Sequence, residues 1–242
     1  MADAPRPPAP PDPVRGVFLA DLAHDLSTPL TAIHGALELL LAGAYGAVDG
    51  EQRALVLEVL ASAREMRAIV QDVADLGAID GGRLVFAAAR VDVGAILGDL
   101  RTTIGDAAAK RGVTFTLDAP PPGTAIESDD RRLRQILACV LGYAIKAARR
   151  GSQVAARVSQ PERLLRMEVH ATGITTSGDP QALFADRRDL TPGVPKPYRG
   201  PGLGLPLVGR VVHAWGGRIH AEMSDGALLM VVELPCARMS GA

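Results

Sequence analysis

Two domains of the α+β class are predicted: an antiparallel helical hairpin that pairs with a second copy into a dimeric four-helix bundle, then an α/β sandwich built on a mostly antiparallel sheet. Three observations predict this. Residues 18–41 carry apolar side chains in steps of three and four, and residues 55–76 repeat the pattern after a glycine-containing break. Beyond Gly81 and Gly82 the pattern changes to short alternating runs separated by helical stretches. Apolar residues make up 48% of the 242-residue chain and aromatics only 3%, which is enough for a core, and that core is aliphatic.

Residues 1–16 are proline-rich, have no hydrophobic leader region, and are expected to be a disordered tail. The first helix carries Phe18, Leu22, Leu26, Leu30, Ile33, Leu37 and Leu41 as its apolar stripe. The segment GAYGAVDG, residues 43–50, ends it. The second stripe is Leu55, Val59, Met66, Ile69, Val73 and Leu76. Two helices alone bury little surface, so the hairpin domain, residues 17–80, is expected to form a homodimer.

The second domain spans residues 83–236. RLVFAAARV (83–91) is expected as a strand, 93–111 as a helix, 113–119 as a strand and 130–150 as a long helix. Residues 153–159 and 164–171 alternate as paired strands. Residues 186–202, rich in Pro, Gly and Arg, predict a loop. A helix over 203–216 and a closing hairpin complete the order.

The balance of charge excludes some functions. A net charge of −1, no long Lys/Arg block and no interleaved aromatics argue against nucleic-acid binding. Cys139 and Cys236 lack metal-ligand spacing and predict two buried thiols in a reducing cytosol. No apolar run approaches the ~20 residues that cross a bilayer. A cytoplasmic chain with no preceding sensor segment is the expectation.

One stretch does not fit a packing role. Residues 24–30 read His-Asp-Leu-Ser-Thr-Pro-Leu, inside the first helical run. Proline there removes a backbone N–H, frees the Asp25 carbonyl and bends the helix. His24 lies about 200° around from Leu22, away from the apolar stripe. Thr28, four residues on, shares its face, and Asp25 is adjacent. An exposed imidazole beside a carboxylate and a hydroxyl is accessible chemistry. His34, His170, His213 and His220 have no such context and are expected to be structural or surface residues.

This box resembles the phospho-acceptor box of two-component sensor histidine kinases. The resemblance covers nearly the whole chain after residue 16. It implies that His24 takes a phosphoryl group and exchanges it with an aspartate on a response-regulator receiver domain, which supplies its own Mg2+. An imidazole ring nitrogen is a good nucleophile near neutral pH. By the same resemblance Asp25 assists the proton movement, and Thr28 orients a water that hydrolyses the receiver's acyl phosphate. Receivers are expected to dock around Ala20, Ser27, Thr31 and Ile33.

The second domain then resembles the ATP-binding domain that these kinases share with gyrase and Hsp90. Here the boxes are damaged. Where the family carries two asparagines four apart on a long helix, this chain has Cys139 and Tyr143. Magnesium prefers hard oxygen donors, which neither thiol nor phenol supplies well. Where the family carries an aspartate that accepts from adenine, this chain has Ala171, followed by Gly173. The glycine box Gly200, Gly202 and Gly204 survives, with Pro206 in the first helical turn. Glu168 and Asp179 are acids that could compensate. Each lost buried polar contact costs about 1–3 kcal/mol. The expectation is therefore a phosphotransfer protein or receiver phosphatase whose ATP binding and autokinase activity are lost and which needs no nucleotide cofactor. The alternatives are an active autokinase using ATP and Mg2+ in a divergent site, and a non-catalytic dimeric pseudokinase adaptor.

Overall fold

A computed structural model describes residues 12–161, 163–174, 179–184 and 204–238. The expected 186–202 loop, Gly200 and Gly202 lie outside the described residues. Two compact units are present, a hairpin unit ending at Leu84 and a sheet unit beginning at Val85.

The hairpin unit consists of α1 (Pro13–Leu41) and α2 (Gly50–Asp80). α1 starts inside the segment expected as a tail. Asp12 accepts from the Arg15 N–H at 3.2 Å and Pro13 occupies the first turn, where its missing N–H costs nothing. α2 opens with a capping box: Gln52 N–H donates to the Asp49 carboxylate at 2.8 Å, and Asp49 N–H donates to the Gln52 side chain at 3.1 Å.

The seam between the helices differs from the expected stripe. α1 buries Gly16, Ala23 and Leu30, seven residues apart, against Leu60, Ala63, Val70 and Gly77 of α2. Phe18, Leu22, Leu26 and Ile33 stay exposed in the single chain, by 65%, 39%, 42% and 46%. Small residues let the two backbones approach, and the large ones are displaced outward. A Cβ on Gly77 would meet the Gly16 carbonyl oxygen at 2.9 Å and the Ala20 nitrogen at 3.0 Å. Beside this crossing Arg15 lies 3.6 Å from the buried Asp80 carboxylate.

The sheet unit runs β1 (Ala89–Asp92), α3 (Val93–Arg111), β2 (Thr114–Asp118), β3 (Ala125–Ser128), α4 (Asp130–Ala147), β4 (Gln153–Ser159) and β5 (Leu164–Ala171). After a short 3-10 turn, Pro180–Leu183, come α5 (Gly204–Ala214), β6 (Arg218–Ser224), β7 (Ala227–Pro235) and β8 (Ala237–Arg238). The large sheet has the order β2-β4-β5-β7-β6, with only β2 and β4 parallel. A small antiparallel sheet, β1-β3-β8, stands beside it. One face of the large sheet is buried through Val154, Ala156 and Val158 of β4 and Leu165, Met167, Val169 and Ala171 of β5. α4 packs there through Leu133, Ile136, Leu137 and Leu141. The other face is charged. Arg157 pairs with Asp118 at 3.0 Å, and Arg166 bridges Glu168 at 2.7 Å and Glu233 at 3.0 Å.

Residues 83–91 were expected as one strand, but only Ala89–Asp92 pairs, because β3 offers a ladder just four residues long. The preceding segment is held by side chains instead. Ala87 N–H donates to the Asp129 carboxylate at 3.0 Å. Phe86 stacks on Trp215 with ring centroids 4.7 Å apart, and the Arg132 guanidinium lies 5.5 Å from the Phe86 ring centre. The long helix ends at Ala147, three residues earlier than expected, where Ala148 turns extended.

Candidate functional site

The His-Asp-Leu-Ser-Thr-Pro-Leu box lies midway along α1. Ala23 and Leu30 are buried against Val70, with Val73 and Ala74 packed beside them. His24 is one residue past Ala23, about 100° around the helix, and is exposed, as are Asp25 and Thr28. The helix continues unbroken through Pro29. Three hydroxyls donate to carbonyls four residues back: Ser27 to Ala23 at 2.7 Å, Thr31 to Ser27 at 2.8 Å, and Thr28 to His24 at 3.5 Å. Of the candidate docking residues, Ser27, Thr31 and Ile33 are exposed and Ala20 is half-buried. His34 is engaged with Glu38 at 3.0 Å, and His213 Nδ1 sits 2.7 Å from the Gly209 carbonyl oxygen, which fits structural roles for both.

The second group of residues lies in the sheet unit. Cys139 and Tyr143 stand one turn apart on α4. Tyr143 is 3% exposed. Cys236 is buried as expected, whereas Cys139 is only half-buried. Ala171 ends β5 on its buried face, paired with Val154 and Leu228 and fully covered. Two residues later Gly173 takes φ +66°, and a side chain there would collide with the Ser152 hydroxyl. Gly204 opens α5 at φ +61°. Phe184, after the 3-10 turn, lies against Gly209 of α5.

Both acids that could compensate are engaged in other contacts. Strand alternation puts Glu168 on the charged face opposite Ala171, paired with Arg166. Asp179 caps the 3-10 turn by accepting from Gln181 N–H at 2.9 Å. Among the described residues no group of three His, Cys, Asp or Glu side chains could hold a metal ion.

Comparison with known proteins gives residues 14–82 as a match to the His Kinase A (phospho-acceptor) domain, and residues 128–238 as a match to the histidine kinase-, DNA gyrase B- and HSP90-like ATPase. The chain belongs to the two-component sensor histidine kinase family. It is 29% identical over 215 residues to the circadian input-output histidine kinase CikA of Synechococcus elongatus, covering 88% of this chain and 28% of that protein. The crystal structure of full-length ShkA in complex with AMPPNP matches with a TM-score of 0.67 and 25% identity, covering 95% of this chain and 47% of that one. The fold is also that of histidine kinase ThkA in complex with response regulator TrrA, at TM-score 0.54 and 16% identity, covering 92% of this chain and 62% of that one. The chain thus spans about half or less of the length of CikA and ShkA.

For a histidine kinase, the ATPase match raises the question of whether nucleotide and magnesium fit here. Three positions in this unit differ in chemistry from what the resemblance implies. The positions that would carry oxygen and amide ligands hold a thiol, a buried phenol and a buried methyl group. Restoring polarity at Ala171 would place a carboxylate where the chain has fully excluded water. What the sequence motif could not reveal was the pair of tight hydroxyl bonds from Ser27 and Thr31 around Pro29, although hydroxyl residues at positions 27 and 31 were visible. The Phe86–Trp215 stack joins residues far apart in sequence, so no local signal announces it.

Proposed function

We propose that this chain is a phosphotransfer protein of two-component signalling: His24 exchanges phosphate with a response-regulator receiver aspartate, and the ATPase-like unit is retained as a scaffold without nucleotide binding. In the forward step the unprotonated ring nitrogen of His24 forms a new N–P bond to the receiver's acyl phosphate. The P–O bond to the receiver aspartate breaks, and that group leaves as a carboxylate. Asp25 is the adjacent base that can take the proton from the other ring nitrogen. Thr28, on the same face, serves the competing hydrolysis of the acyl phosphate.

The observation that carries this reading is a contrast in burial. His24, Asp25 and Thr28 are exposed, whereas Tyr143 and Ala171 are buried with no ligand chemistry of the kind a magnesium nucleotide needs. Exposed Phe18, Leu22 and Leu26 along α1 support a homodimer, in which a second hairpin would cover them. Among the described residues no helix is long and apolar enough to cross a membrane.

The test is to mix the full chain with a panel of receiver domains charged with labelled acetyl phosphate. Label should appear on His24 and be absent in His24→Ala. Rapid labelling of His24 by ATP and magnesium instead would favour the autokinase reading, which the ATPase-domain match supports. If His24→Ala signals like wild type and no label transfers, the adaptor reading stands.

A further inference from the structure

We infer that Ser27 and Thr31 are positioning residues for the His24 reaction, doubling the backbone rungs on either side of the one that Pro29 removes from α1. The inference rests on the phosphotransfer reading above. Pro29 has no N–H, so the Asp25 carbonyl loses its helical donor one residue past the phospho-acceptor. Two hydroxyls reinforce the carbonyls on either side of it. Ser27 Oγ donates to Ala23 O at 2.7 Å, and Thr31 Oγ1 donates to Ser27 O at 2.8 Å. The steps 23, 27 and 31 bracket Pro29.

Helical Ser and Thr residues often bond back to the fourth preceding carbonyl, so the pattern alone decides little. The lengths decide more. The same bond at Ser62, Thr103 and Thr102 is 3.2, 3.3 and 3.5 Å, and at Thr28 it is 3.5 Å. The Ser27 and Thr31 bonds are the short ones, and the Thr28 bond beside the proline is among the long ones. The Ala23 carbonyl belongs to the peptide unit that carries the His24 nitrogen. Holding that carbonyl fixes the plane from which the His24 side chain departs, on a helix otherwise free to flex at the proline. In-line attack on phosphorus depends on such aim, and a misplacement of about 1 Å can cost ~100-fold.

The test uses the full-length chain and the receiver that charges it in the assay above. Single-turnover transfer is measured against receiver concentration for wild type, Ser27→Ala, Thr31→Val, and the conservative Ser27→Thr and Thr31→Ser, with thermal melting of each. The expected result is a transfer rate at saturation lower by about tenfold in Ser27→Ala and Thr31→Val, with the half-saturating receiver concentration and the melting midpoint unchanged. The conservative variants should restore the rate. A rate equal to wild type overturns the inference. So does a raised half-saturation at unchanged rate, which would make the two residues receiver contacts, and so does a loss that tracks melting. If wild type takes no label from any receiver, the phosphotransfer reading falls first and this inference with it.

Discussion

At the scale of single residues, the two candidate sites are opposites in solvent exposure, and that fixes what substitutions should do. His24 touches little, so His24→Ala should abolish labelling while shifting the unfolding midpoint by no more than a surface change does, within about 0.5 kcal/mol. Ala171 is fully covered between Val154 and Leu228. Ala171→Asp, which restores the family residue, buries a carboxylate with no cation assigned to it. It should destabilise the chain by about 3 kcal/mol in denaturant titration and should not restore nucleotide binding. Stability close to wild type would mean that a polar cavity remains at this position. The phospho-acceptor box was legible from sequence because its chemistry is contiguous. The covering of Ala171 and Tyr143 was not, because burial depends on strands and helices that meet only in the folded unit.

At the scale of elements, close approach and capping decide stability. Gly77 meets Gly16 backbone to backbone, so Gly77→Ala must push α1 from α2 and should cost about 1–3 kcal/mol. Gly98→Ala in α3 meets nothing within 4 Å and should stabilise by about 0.5–1 kcal/mol through helix propensity. Equal effects at the two positions would refute the close crossing. Asp92 caps α3 by accepting from Ala95 N–H at 3.0 Å and also accepts from Gly123 N–H at 2.8 Å. These backbone donors, Ala95 first, hold its carboxyl below the ordinary carboxylate value. Its stabilising contribution is therefore present above about pH 4 and lost as pH falls through the lowered folded value. Asp92→Ala should lower stability at neutral pH and flatten the acid limb of the stability curve. An unchanged acid limb would contradict this. The caps and long periodic runs made α3, β4 and β5 readable to within a residue. β3 and β8, four and two residues long, are too short for an alternating pattern to register. The stripe on α1 was read correctly as helical, but which of its residues face α2 was not legible: Leu30 is buried there and Phe18, Leu22, Leu26 and Ile33 are exposed, since periodicity gives a face but not which partner covers it.

At the scale of the whole molecule, the exposed apolar side of the hairpin and the charged open face of the sheet describe a chain with one surface built to be covered and another built to face water. The proposed dimer should dissociate when Phe18 and Leu22 are both changed to Glu, read by sedimentation as a shift from dimer to monomer at micromolar concentration. A dimer that survives would place the interface elsewhere. The proposed function couples an available imidazole with an ATPase-like unit that does not bind nucleotide. Calorimetric titration of the full chain with ATP and magnesium decides between this and a working nucleotide site. No saturable heat at millimolar nucleotide is the predicted result, and saturable binding at micromolar nucleotide that depends on magnesium would contradict it.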